Sequence, residues 1–167
     1  MKKLAILFVV LAGYSVTSMA QVNATASSTA AVITPIAISK TQDLNFGTLA
    51  VSPTVAGTLA ISPAGTRTPT GGVTLPAVTG TVTAAVFHVT GLGTSSFAIT
   101  LPGSITLDDG ASHTMSLGSF VSSPSGTGSL VGGALDVNVG GTLTVAAAQT
   151  AGTYTNAAGL QVTVNYN

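Results

Sequence analysis

Of 167 residues only four are Lys or Arg and four Asp or Glu, and cysteine is absent. Beyond residue 20 the only cations are Lys40 and Arg67; two positive charges cannot build a basic patch, which excludes a nucleic-acid partner. Without cysteine there is no disulfide and no lipidated N-terminal thiol, so the fold rests on its apolar core.

The chain opens as an export signal. Lys2 and Lys3 precede the apolar run "LAILFVVLAGY", and Ser18 and Ala20 place small residues before a cut at Gln21. The run is shorter than the about 20 apolar residues of a membrane span. No second run of that length occurs later in the chain, so no span is expected after signal removal; an uncleaved anchor is the alternative. The expected mature protein is one domain, residues 21–167, with 21–40 as an N-terminal strand or extension. Its expected location is the periplasm, the cell surface or the medium.

From residue 21 onward the chain alternates with period two between Gly, Pro and Asp turns, the signature of an all-β chain. In "VNATASSTAAVITPIAI", Val22, Ala24, Ala26, Ala30 and Val32 share one parity and predict a long strand. "LNFGTLAV", "GTLAIS" and "VTL" come after it. "TVTAAVFHVT" is apolar at both parities, which predicts a strand buried on both faces. "SFAITL" comes next, and "SITLDDGASHTMSL" reads as a hairpin turning at "DDG". "ALDVNVGGTLTVAA" reads as a second hairpin turning at Gly140-Gly141, since glycine suits the positive φ of tight turns. The last strand, "GLQVTVNYN", alternates Leu160, Val162, Val164 and Tyr166 with polar residues. About nine strands at this spacing suit a two-layer sandwich. Ser62–Gly72 and Val121–Ser129, rich in Gly, Pro, Ser and Thr, are expected as surface loops.

Little chemistry is legible. His88 and His113 are the only histidines. His88 is expected as a buried, hydrogen-bonded imidazole, and His113 as a strand-start residue beside a solvated turn. Asp108 and Asp109 are expected to cap turn amides; no D-x-D-x-D-G spacing argues for calcium. No activated nucleophile or paired acids can be assembled. The reading is therefore no enzyme, with no catalytic, cofactor-binding or metal residues and no cofactor.

The stretches "TPIAISKTQDLNFGTLAVSPTVAGTLAISPAGTRT" and "VAAAQTAGTYTNAAGLQVTVNYN" resemble a family of secreted bacterial proteins, domain of unknown function 4402. "LNFG", "SPAGTRT", "GGVTLPA" and "AGTY…VTVNYN" carry that resemblance, and the family name implies no settled activity. More loosely, an "LxFG"-like segment, a last alternating strand and a penultimate aromatic resemble chaperone–usher pilins and spore-coat-U-like secreted proteins. That resemblance implies an antiparallel immunoglobulin-like, pilin-like sandwich lacking one strand. A neighbour's N-terminal extension fills the gap, after a periplasmic chaperone has held the C-terminal strand. Carried over, Val22, Ala24, Ala26, Ala30 and Val32 match the donor, and Leu160, Val162, Val164 and Tyr166 the terminal strand. The pilin disulfide is missing here, and the donor face is mostly alanine.

The expectation is an exported, non-enzymatic structural surface protein, a fimbrial-like or surface-assembly subunit using strand addition. Its partners would be copies of itself, other surface subunits or a periplasmic chaperone. The alternative is a monomeric extracellular module binding carbohydrate or a surface protein through the two Gly/Pro-rich stretches. In a closed monomer the first and last strands would pair with each other, and Tyr154 would act like a tyrosine corner.

Overall fold

A computed structural model describes residues 21–167; the signal-sequence reading of residues 1–20 falls outside them. The described part of the N-terminal unit, residues 21–32, carries no strand and is exposed throughout. The body, Ile33–Asn167, contains every strand found among the described residues and no helix. The described residues form twelve strands: β1 (Ala37–Gln42), β2 (Ala50–Val51), β3 (Gly57–Ile61), β4 (Arg67–Gly71), β5 (Val73–Thr74) and β6 (Ala85–Thr90) in the first half. The second half has β7 (Ser96–Thr100), β8 (Ser104–Asp108), β9 (Thr114–Ser123), β10 (Thr127–Ser129), β11 (Ala134–Val145) and β12 (Thr163–Tyr166).

The organising element is β11. Its first half pairs with β6 and its second half with β3, and β9 runs along the opposite edge. β1 extends the sheet from β6, β4 from β3 and β8 from β9, giving seven strands. A second sheet runs β10-β7-β12, and β2 and β5 form a small third ladder. All pairs are antiparallel, and the sheets curl into a half-barrel. The fold is thus the all-β, sandwich-like class expected.

Gly140 and Gly141 make no hairpin. They lie within β11, where the strand hands over from β6 to β3 and its register against β9 shifts between Gly140 and Thr142. A Cβ on Gly140 would collide with the Ile61 carbonyl oxygen, and one on Gly141 would stand 2.9 Å from Phe120 Cδ1. Glycine here serves close approach at a bulge.

Two apolar clusters fill the interior. In the first, Phe87, Val89, Val137 and Val139 of the large sheet pack against Phe97, Ile99 and Val164 of the second sheet and Val162 just ahead of β12. In the second, Phe46, Leu59, Ile61, Met115, Leu117 and Leu143 pack together. Phe120 and Leu44 touch both.

Other local features differ from expectation. β6 buries Ala85, Phe87 and Val89, whereas Val86 and His88 face outward and stay half-exposed. His88 is therefore a hydrogen-bonded but uncovered imidazole. The two expected loops are partly strand, since Arg67–Gly71 pairs with β3 and Thr127–Ser129 with β7.

Candidate functional site

In the two larger sheets five strands stand at an edge, and four of those edges are defended against pairing with another chain. β4 carries Pro69, which offers no N–H to a ladder, and the charged Arg67. β10 is three residues long. β8 is covered, because Asp108 and Thr155 exchange backbone hydrogen bonds and Asn156 Nδ2 donates to Thr106 O at 2.6 Å. β1 carries Lys40, and its register against β6 breaks between Lys40 and Gln42. β12, four residues long, carries no charge, proline or bulge, and β1 lies beside it without a ladder.

The alternation read at the C-terminus gives β12 its two faces. Val162, just before the strand, and Val164 are buried in the first cluster; Gln161, Thr163 and Asn165 are exposed. Leu160 and Tyr166 are half-buried against the same cluster. One edge of β12 pairs with β7, from Thr163 opposite Thr100 to Tyr166 opposite Phe97. The other edge has no ladder partner among the described residues. The last strand thus pairs with β7, not with the first, although β1 lies beside it.

Tyr166 ties this corner together. Its hydroxyl donates to Thr34 O at 3.0 Å and accepts from the Leu92 amide at 2.6 Å. Gly91 makes room, because a Cβ there would overlap the hydroxyl and lie 3.1 Å from Cζ. Tyr154 pins the approach to β12. Its hydroxyl donates to Thr150 O at 2.8 Å, four residues upstream, as a tyrosine corner does, and accepts from Gln149 Nε2 at 2.8 Å.

A cleft of about 1080 Å³ opens between residues 43–51 and 149–160, with Phe87, Leu107, Met115, Leu117 and Leu143 in its lining. Its lining includes Gln42 at the end of β1 and Leu160 ahead of β12. Asn156, also in the lining, keeps a buried Oδ1 without a hydrogen-bond partner.

Of the residues singled out in the sequence, Leu160, Val162, Val164 and Tyr166 come together at the first cluster. Val22, Ala24, Ala26, Ala30 and Val32 do not join them: all are exposed, and Val22 and Val32 are 90% and 99% so. The long strand expected from Val22 onward starts only at Ala37. Thr34, Gly91 and Leu92 are not legible in the sequence as partners of Tyr166, since Thr34 lies 132 residues away along the chain.

The titratable groups form separate pairs. His88 Nδ1 lies 2.6 Å from Asp136 Oδ1 on the outer face of β6 and β11, and His113 Nδ1 lies 2.6 Å from Asp109 Oδ2. Among the described residues no three His, Asp or Glu side chains gather as a metal site. The "DDG" turn is capped as expected: Asp108 Oδ1 accepts from Gly110 N, and Asp109 Oδ1 accepts from Ala111 N and His113 N. Desolvation raises the pKa of Asp109. The bonds from the Ala111 amide, the His113 ring and the His113 amide outweigh it and hold the carboxyl below 3.8. A depressed folded pKa contributes stability that is present above the unfolded value and lost as pH falls through the folded one. Asp109→Asn is therefore expected to lower the melting temperature at neutral pH. The gap to wild type should close once the pH falls well below 3.8, as paired thermal melts across that range would register.

Fold and edges together define an all-β, sandwich-like domain whose terminal strand has one edge without a ladder partner among the described residues. The family model for a domain of unknown function (DUF4402) matches residues 36–166, most of the chain, and the protein belongs to that family. The matched range begins at Ile36, beyond the exposed segment 21–32. No curated protein and no solved structure matches the chain.

Proposed function

We propose that the protein is an exported, non-enzymatic structural subunit that assembles at the cell surface by strand addition, fimbrial-like in its mode of assembly. The β12 edge accepts the N-terminal extension of a second copy. The observation that carries this reading is the pairing of two unmatched features: an uncharged, unbulged edge at β12, and an extension whose alternating apolar side chains are all exposed. Backbone hydrogen bonds supply affinity in such an addition, and alternate side chains set register. Each bond nets roughly 0.5–1.5 kcal/mol. The near-absence of charge lets copies approach without strong repulsion. Export is supported by the leader sequence, and a periplasmic chaperone is the class of partner that would cover β12 before assembly.

The test compares residues 21–167 with 33–167 by size-exclusion chromatography and negative-stain microscopy. The extension is exposed and unladdered, so its removal should change stability by no more than about 0.5 kcal/mol. Oligomers and filaments should disappear. A protein that is monomeric at high concentration in both forms, with no filaments on cells, overturns the reading.

A further inference from the structure

The two neighbouring edges, β1 and β12, belong to different sheets and share no ladder. Among the described residues, one hydrogen bond joins residues 33–42 to the sheet β10-β7-β12: that from Tyr166 Oη to Thr34 O. It bridges the seam where β12 ends and where the chain enters β1. The same hydroxyl is held from the other side by the Leu92 amide, so its position is fixed by two partners. Gly91 adds a steric condition, since any side chain there would displace the hydroxyl. No charged group takes part: the ionisable side chains of β1 and β6 are Lys40, which pairs with Asp43, and His88, which pairs with Asp136.

We infer that the Tyr166 hydroxyl is a latch on this seam, and that it positions the chain entry at Thr34 and is released when a strand is added along β12. The second half of this inference rests on the strand-addition reading; the first half does not. A strand laid beside β12 takes up a spacing of about 4.7–4.9 Å. β1 already lies against β12 here without a ladder, so a strand added on this side would have to displace the chain entry that the hydroxyl holds. Tyr166 is a positioning residue here: it keeps an unladdered seam shut without supplying the ladder.

The experiment uses the chain from Gln21 onward as wild type, as Tyr166→Phe and as Gly91→Ala. Tyr166→Phe keeps the ring and removes only the hydroxyl; Gly91→Ala leaves the tyrosine and expels its hydroxyl. Hydrogen exchange is followed at residues 33–40, and uptake of a fluorescent synthetic peptide of residues 21–34 is timed. Both variants should exchange on the order of tenfold faster at 33–40, with β6 and β11 unchanged, the loss of about one hydrogen bond. Both should take up the peptide faster than wild type. Unchanged exchange at 33–40 overturns the latch, even if the peptide binds. Faster exchange with peptide uptake equal to wild type overturns its gating role and leaves strand addition standing. Faster exchange with no uptake by any form keeps the latch at Thr34, and both gating and strand addition fall.

Discussion

Replacing Gly140 with alanine is expected to destabilise the domain by about 3 kcal/mol, the upper part of the range for overpacked interiors. The added Cβ would meet main chain on β3: it overlaps the Ile61 carbonyl oxygen and lies 2.8 Å from the Ser62 carbonyl carbon. A side chain could rotate away; a backbone held by the β3 and β4 ladders cannot without breaking pairs. The affected point is where β11 changes partner, so displacement there loosens β3, β6 and β9 together. The melting temperature should fall by roughly 10 °C for a domain of this size. Gly103→Ala is the matched control, because a Cβ there meets nothing within 4 Å. Its effect should stay within about 0.5 kcal/mol. Equal melting temperatures for the two variants would refute the close-approach account of Gly140.

Arg67→Met is the second large effect, expected at about 2–4 kcal/mol for hydrogen bonds with a charged donor. From β4, Arg67 Nη1 donates to Phe46 O at 3.0 Å and Thr48 O at 2.9 Å. Those carbonyls flank Gly47, whose φ of 67° is left-handed and whose amide donates to Asn45 Oδ1 at 2.9 Å. The guanidinium thus locks the "LNFG" segment, and with it buried Phe46, onto the second cluster. Lysine is a flexible point charge without the planar fork, so Arg67→Lys should recover only part of the loss. Urea unfolding midpoints of the three proteins decide this. A midpoint for Arg67→Met equal to wild type would mean that the two carbonyls are served as well by water.

The link between "LNFG" and "TRT" marks the point at which the sequence stops being legible. Period-two alternation identifies both faces of β12 and the hairpin at "DDG", because each depends on residues close in sequence. It does not name neighbours. The segment from Val22 alternates as well as β12 does, yet it forms no strand, and alternation alone specifies a face without a partner. At Gly140-Gly141 the expected hairpin fails because glycine serves positive φ and close approach equally well, and only the Ile61 carbonyl separates the two. β4 is hidden by "RTPTG", whose composition is that of a turn; its strand geometry is imposed by β3. β10, three residues long, is too short to show a period, whereas the segments that hold β2 and β5, "LNFGTLAV" and "VTL", are legible as strands. His88 reads as an interior residue because its strand is apolar at both parities; its cross-strand partner Asp136 holds that face outward.

β11 also bears on how the chain reaches its fold. Its partners β3, β6 and β9 enter from widely separated parts of the sequence, and β12 must wait for β7 across the whole intervening hairpin region. Non-local pairings of this kind are slow, in the millisecond-to-second range for all-β domains, because the entropy of loop closure is lost before the contacts that offset it form. Val162 and Val164 pack on Phe87 and Val89 of β6 and Val137 and Val139 of β11, so their burial depends on that non-local pair. The strand whose outer edge has no ladder partner among the described residues therefore also depends, through β7, on one of these non-local pairings.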